Sequence, residues 1–157
     1  MVTNIISKDF TPDKIDELIL FLKKCIIECY RPYYPKEAVD YFLKYHNKEK
    51  MLEKAKMGNF ILLLNQDKII GTGCIIKDII EVIFVDPEYQ NNGFGTDILY
   101  YLEMNARKSG IRLTKLNAMK VSFGFFEKAG YKTIRKYQEK VNNMVIDYFE
   151  MTRMLPK

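Results

Sequence analysis

The stretch VDPEYQNNGFGTDILYYLE, residues 85–103, sets two glycines one residue apart, after an apolar run and before a helical pattern. Glycine in a regular element costs about 0.5–1 kcal/mol, so a pair placed here points to a demand on the backbone. A helix start presents unpaired N–H groups and the positive end of the macrodipole. With no Cβ at Gly93 or Gly95, a bulky anion can approach that main chain. Strand, Gly-x-Gly loop and helix N-terminus then read together as a phosphate or pyrophosphate cradle. A helix cap that is merely rich in glycine is the other reading of the two glycines alone. Two familiar phosphate loops are excluded. A dinucleotide fingerprint needs a third glycine where Ile98 stands, and a Walker loop needs Gly-Lys-Ser/Thr where Gly95 is followed by Thr96 and Asp97. A second feature with chemical content is Glu81, which interrupts the apolar run IIEVIFV. It is either a carboxylate kept for handling protons or a solvated strand start beside a turn.

The surrounding pattern supplies elements to position these groups. Residues 2–7 read as a short first strand. TPDKIDELILFLKKCIIECY reads as a helix that Thr11 can cap, with Pro12 at its first position and Ile15, Leu18, Ile19, Leu22, Cys25, Ile26 and Cys29 along one face. RPYYP breaks it. A second helix follows with Ala38, Tyr41, Phe42 and Tyr45 on one side, and NKEKMLEKAK adds a further turn or two. Beyond Gly58, NFILLLN, KIIGTGCII and IIEVIFV are strand-length runs separated by the turns NQDK and KD. A helix opens at about Gly93 and runs through TDILYYLEMNARKSG. IRLTKLN is a strand, VSFGFFEKAG a short helix, and YKTIRKY and MVIDYFEMTRML the last two strands. The expected fold class is therefore α/β (α+β): a mixed, mainly antiparallel sheet with helices on both faces.

Length and composition bound the function. The 157 residues, 48% hydrophobic and 29% charged, suit one globular domain spanning 1–157. No apolar run reaches the roughly 18 residues of a membrane span, and the start lacks an apolar stretch of signal-peptide length, so a cytoplasmic protein without a membrane role is expected. The three cysteines lack metal-ligand spacing and read as small buried hydrophobes in a reducing compartment, so no metal is expected. The net charge of +5 suits an anionic ligand, but the lysines are spread along the chain and do not form a nucleic-acid patch.

IEVIFVDPEYQNNGFGTDIL resembles the acetyl-CoA-binding motif of the GNAT superfamily of N-acetyltransferases, an apolar strand followed by a Val-x-Pro-Glu-Tyr turn and Gln/Arg-x-x-Gly-x-Gly/Ala. The matching residues are Val85, Pro87, Glu88, Tyr89, Gln90, Gly93 and Gly95. LNAMKVSFGFFEKAGYKTI is similar to that family's second signature through Asn117, Ala118, Phe125, Glu127, Lys128 and Gly130. The specific likeness covers roughly residues 68–134, and the N-terminal half fits only in its order of elements.

The resemblance implies acetyl transfer from acetyl-CoA to a primary amine of a small molecule or protein. It implies that backbone N–H groups of Gln90, Asn91, Asn92, Gly93, Phe94, Gly95 and Thr96 hold the pyrophosphate. The main chain of Ile83, Phe84 and Val85 would pair with the pantetheine arm, in a gap where that strand splays from IRLTKLN. Asn117 would meet the arm from the other edge. Lys128 would either reach a CoA phosphate or stand solvated. An amine of pKa near 10.4 is protonated at neutral pH. Glu81 is the candidate base; His46, the one histidine, ends a polar helix far from both signatures and is set aside. The family's usual tyrosine, which protonates the leaving thiolate, is Phe126 here, so the general acid is unassigned, while the Phe126 ring would still pack beside the thioester. Tyr30, Tyr33, Tyr34, Tyr41 and Tyr45 gather where the family's acceptor site lies, and either line an amine pocket or pack as an amphipathic face. The second function class left open is a catalytically silent acyl-CoA-binding module of the same fold. A homodimer is compatible with the sequence.

Overall fold

A computed structural model describes residues 4–157. The elements are strand β1 (Ile5–Asp9), helices α1 (Ile15–Tyr30), α2 (Lys36–Tyr45) and α3 (Lys48–Met57), strands β2 (Asn59–Asn65), β3 (Lys68–Ile76) and β4 (Ile79–Val85), helix α4 (Phe94–Lys108), strand β5 (Leu113–Met119), helix α5 (Lys120–Lys128), and strands β6 (Lys132–Val141) and β7 (Met144–Met154). The strands form one sheet in the order β1-β2-β3-β4-β5-β7-β6. Every pairing is antiparallel except β4 with β5. Among the described residues no helix is long and apolar enough to cross a membrane.

The expected class of a mixed, mainly antiparallel sheet with helices on both faces is what the chain forms. One core cluster joins α1, α2 and α3 to one face through Leu18, Leu22, Ile26, Phe42 and Met51. A second joins α4 and α5 to the other through Ile98, Leu102, Ala106 and Phe126. Strands β2 and β3 lie between both layers and are buried almost throughout, which is why they read as continuous apolar runs.

Four local expectations need correction. Of the predicted strand 2–7, residues 2 and 3 lie outside the described residues, and β1 extends instead to Asp9, paired to Ile61. Thr11 makes no side-chain cap bond; Pro12–Lys14 is a 3-10 turn and α1 begins after it. The turn or two expected after residue 47 is a ten-residue helix, capped by Asn47, whose side chain accepts from the Lys50 N–H. The strand expected to end at Tyr137 continues to Val141, because β7 supplies pairing partners along its whole length.

Candidate active site

Two features of β4 create the site. The first is a break in pairing. Ile79 is in register with Lys115 of β5, whose N–H bonds the Asp78 carbonyl at 2.8 Å, and beyond this the two parallel strands diverge. The gap is lined on one side by Ile83 and Phe84 and on the other by Leu116, Asn117 and Met119. A strand edge at such a gap offers main-chain groups to an extended ligand.

The second feature is a bulge. Cys74 opposes Glu81 and Thr72 opposes Phe84, so Val82 and Ile83 together face Gly73. Val82 holds φ +58°, a left-handed backbone that a β-branched residue rarely adopts. The extra residue changes which way the strand faces. Ile80 and Ile83 pack toward α4 and α5, whereas Val82 and Phe84 pack toward α1–α3. Glu81 turns to the α1–α3 side as well, where Lys54 of α3 meets it.

That ion pair is close: Lys54 Nζ donates to Glu81 Oε1 at 2.5 Å, with the two side chains 14% and 29% exposed. His46 lies beside it. The residue was expected far from the signatures, and the structure corrects this, because α2 folds back across the sheet and ends its last turn over β4. The His46 ring stands edge-on to Phe84 at 5.5 Å, and both line the cleft with Glu81. Its Nδ1 is 2.8 Å from the Phe42 carbonyl. A carbonyl only accepts, so Nδ1 carries the proton and the Nε2 lone pair is left free. Burial, together with the charges of Lys54 and Lys50, lowers the His46 pKa below its ordinary 6.5, against the opposing Phe42 bond and Glu81. The imidazole is therefore neutral at pH 7.

The glycine segment forms the other end of the site. A 3-10 turn, Pro87–Tyr89, leaves β4, and α4 starts at Phe94 with Gly93 as its N-cap. The expected opening at about Gly93 thus holds to one residue. Gly93 has φ +84°, and a Cβ there would meet open space. Gly95 differs: its added Cβ would lie 3.1 Å from the Phe125 ring, so its bareness is also demanded by packing of α5. Phe94 is buried and seats the turn in the core beside Tyr89. The loop holds itself in shape. Gln90 Nε2 donates to the Val85 carbonyl at 3.1 Å and to Cys29 Sγ at 3.4 Å; Asn92 Nδ2 donates to the Tyr89 and Gln90 carbonyls. Asp86, 1% exposed, accepts from the Glu88 N–H and from Lys24 Nζ. Burial opposes the Lys24 charge, but hydrogen bonds with Glu88 and Asp86 outweigh it and raise the lysine's pKa.

Two cavities meet at this strand. One, of about 480 Å³, runs from Gln90, Asn91, Gly93 and Thr96 to Val85 and Phe125. The other, of about 330 Å³, runs from Asn117 past Glu81 and His46 to Tyr30 and Tyr41. Ile83, Ser122 and Phe126 line both, so the two cavities adjoin along the β4 groove, with Phe126 between them.

Some sequence-singled residues fall outside the groove. Lys128 is exposed on α5, and Asn92 is turned to its own backbone; neither lines a cavity wall. Tyr33 is 71% exposed, and Tyr34 packs edge-on to Tyr30 and Phe42. Tyr45 lies at the rim with Lys50 4.1 Å over its ring. Sequence reasoning missed Lys54, Tyr137 and Tyr148. The alternation of apolar and polar residues in the last hairpin was the available signal for the two tyrosines; nothing local marked Lys54.

Comparison with known proteins places this geometry. The model of the Acetyltransferase (GNAT) domain matches residues 30–155. A search of curated proteins found no significant match. Among solved structures, a GCN5-related N-acetyltransferase from Rhodopseudomonas palustris superposes with TM-score 0.89 at 18% identity, over 99% of this chain and 98% of that one. The PaiA N-acetyltransferase from Thermoplasma acidophilum, solved in complex with coenzyme A, gives 0.79 at 20% identity, over 98% and 100%. A GNAT-family acetyltransferase from Staphylococcus aureus gives 0.69 at 19% identity, over 98% and 100%. With its domain model matched across most of its length, the chain belongs to the GNAT acetyltransferase family.

Proposed function

We propose that this chain transfers the acetyl group of acetyl-CoA to a primary amine, in a reducing compartment such as the cytoplasm, where its three free cysteines are stable. The observation that carries the reading is the pair of adjoining cavities along β4: a bare helix N-terminus at one end, a neutral imidazole at the other, and a splayed strand edge between them.

The residues fit the co-substrate. The first N–H groups of α4 have no intrahelical acceptor, and Gly93 brings no side chain to cap them, so they suit a pyrophosphate. The β4 edge at Ile83–Val85 pairs with an extended arm, and Asn117 closes on it from β5. Acetyl-CoA supplies a thioester whose thiolate leaves readily, since thiols titrate near 8.5.

His46 Nε2 accepts the proton of the incoming ammonium, directly or through one water. The freed nitrogen lone pair attacks the carbonyl carbon, the C–N bond forms and the C–S bond breaks. Main-chain N–H groups of β4 stabilise the oxyanion. The nitrogen's second proton passes through water to the leaving thiolate, because Phe126 has none to give. Glu81, held by Lys54, sets the field around the imidazole instead of acting as the base. Phe126 is also the feature that favours the second reading, a silent acyl-CoA-binding module.

Two measurements decide between them. Calorimetric titration with acetyl-CoA should show binding, and a thiol assay across a panel of amines should show CoA release dependent on amine. Binding without release for any amine would leave the silent module.

A further inference from the structure

The acceptor end of the groove carries a carboxylate that the acetyl-transfer chemistry does not use. Glu139 of β6 lines the cavity with Tyr137, with Tyr148 of β7 and with Tyr41 of α2. The hairpin register explains why. Tyr137 opposes Tyr148 and Glu139 opposes Ile146, so residues two apart on β6 share one face with those partners. Tyr137 and Tyr148 stack at 5.3 Å and 19°, which fixes both rings. The Glu139 charge reaches all three phenols: burial first, and Glu139 next, raise the pKa of Tyr41, Tyr137 and Tyr148.

The neighbouring acids are all engaged. Asp147 pairs with Lys120, Glu150 with Arg135, and Glu81 with Lys54. Among the described residues, no cation lies within ion-pair distance of Glu139. The tyrosines here already attract the chain's own cations where these reach them. Lys50 sits over Tyr45 at 4.1 Å and Arg135 over Tyr137 at 4.5 Å. Tyr41 and Tyr148 hold no such cation among the described residues. A carboxylate beside two aromatic rings that hold no cation is a receptor for an organic ammonium.

We propose that the acceptor is an amine with a second positive charge, which Glu139 receives between Tyr41 and Tyr148 while the reacting nitrogen reaches His46. This rests on the acetyl-transfer reading and narrows its substrate class to dications.

The test compares α,ω-diaminoalkanes of increasing length with monoaminoalkanes and ω-hydroxyalkylamines of the same length. At the best length, kcat/KM for the diamine should exceed that of its monoamine and hydroxyl counterparts at least tenfold, through KM. In Glu139→Gln that ratio should fall to about one. Equal kcat/KM in the parent protein, or an unchanged ratio in Glu139→Gln, would overturn the proposal. Calorimetric titration of the diamine into the protein saturated with CoA gives a readout free of turnover. Affinity at least tenfold weaker in Glu139→Gln supports the site, and equal affinity overturns it. No release of CoA with any amine, alongside Glu139-dependent diamine binding, would refute acetyl transfer and leave the dication site standing.

Discussion

Lys54 Nζ lies 2.5 Å from Glu81 Oε1, and the imidazole of His46 lies in the same cleft with its Nδ1 committed to the Phe42 carbonyl. The carboxylate has a partner and the imidazole has a free lone pair, so the proposed mechanism gives the proton-accepting role to His46 and not to Glu81. His46→Gln should then lower kcat by roughly 10²–10⁴, the usual worth of a general base. Glu81→Gln should cost about tenfold or less, by altering the field around the imidazole. The opposite order in steady-state rates would restore Glu81 as the base.

The pH dependence follows from the direction of the His46 shift. Its folded pKa is below the ordinary 6.5. Between those two values the unfolded chain binds the proton and the native protein does not, so stability rises with pH there. The contribution is complete above about 6.5 and is lost as pH falls toward the folded pKa. The rate of acetyl transfer should show an acid limb with its inflection below 6.5, and His46→Gln should remove it. Parallel melting and rate measurements from pH 5 to 8 check both.

Gly93 and Gly95 should fail differently. Val at Gly93 resists φ +84°, with no clash in the free protein. Val at Gly95 must displace the Phe125 ring from 3.1 Å, an overpacking that costs about 1–3 kcal/mol. Both should lose acetyl-CoA affinity at least tenfold. Only the Gly95→Val defect in melting temperature should be relieved by Phe125→Leu.

Phe126→Tyr should preserve or raise turnover, most visibly below pH 8, where a phenol near pKa 10 stays protonated and able to donate. The position borders both cavities, which gives an added hydroxyl a wet outlet. If the hydroxyl is instead trapped against Phe125 and Tyr131, an unpaired group costing about 1–3 kcal/mol, rate and melting temperature should fall together.

Lys24→Met should weaken the Gln90–Gly95 loop from a distance. It leaves the buried Asp86 carboxylate with the Glu88 N–H alone, at a cost of about 1–3 kcal/mol. A lower melting temperature together with a several-fold loss of acetyl-CoA affinity is expected. Unchanged affinity in the folded variant would detach this network from the loop.

The sequence by itself determined the local elements and one end of the site. Strand, glycine turn and helix start are written within twenty residues, and both the 3.6-residue and two-residue periods and the turn residues act over that range. The α/β class, the hairpins and the position of helix α4 followed from them. Only the tertiary structure decided the other end. His46, Lys54, Glu81, Tyr137 and Tyr148 come from five elements spread over about a hundred residues, and no local pattern links them. The bulge at Val82 is the pivot. A one-residue slip reverses a strand's faces, and the IIEVIFV pattern carries no sign of it. What brings Glu81 to Lys54 and His46 is the packing of α1–α3 against that face, a set of long-range contacts whose outcome depends on how the two cores close around the sheet.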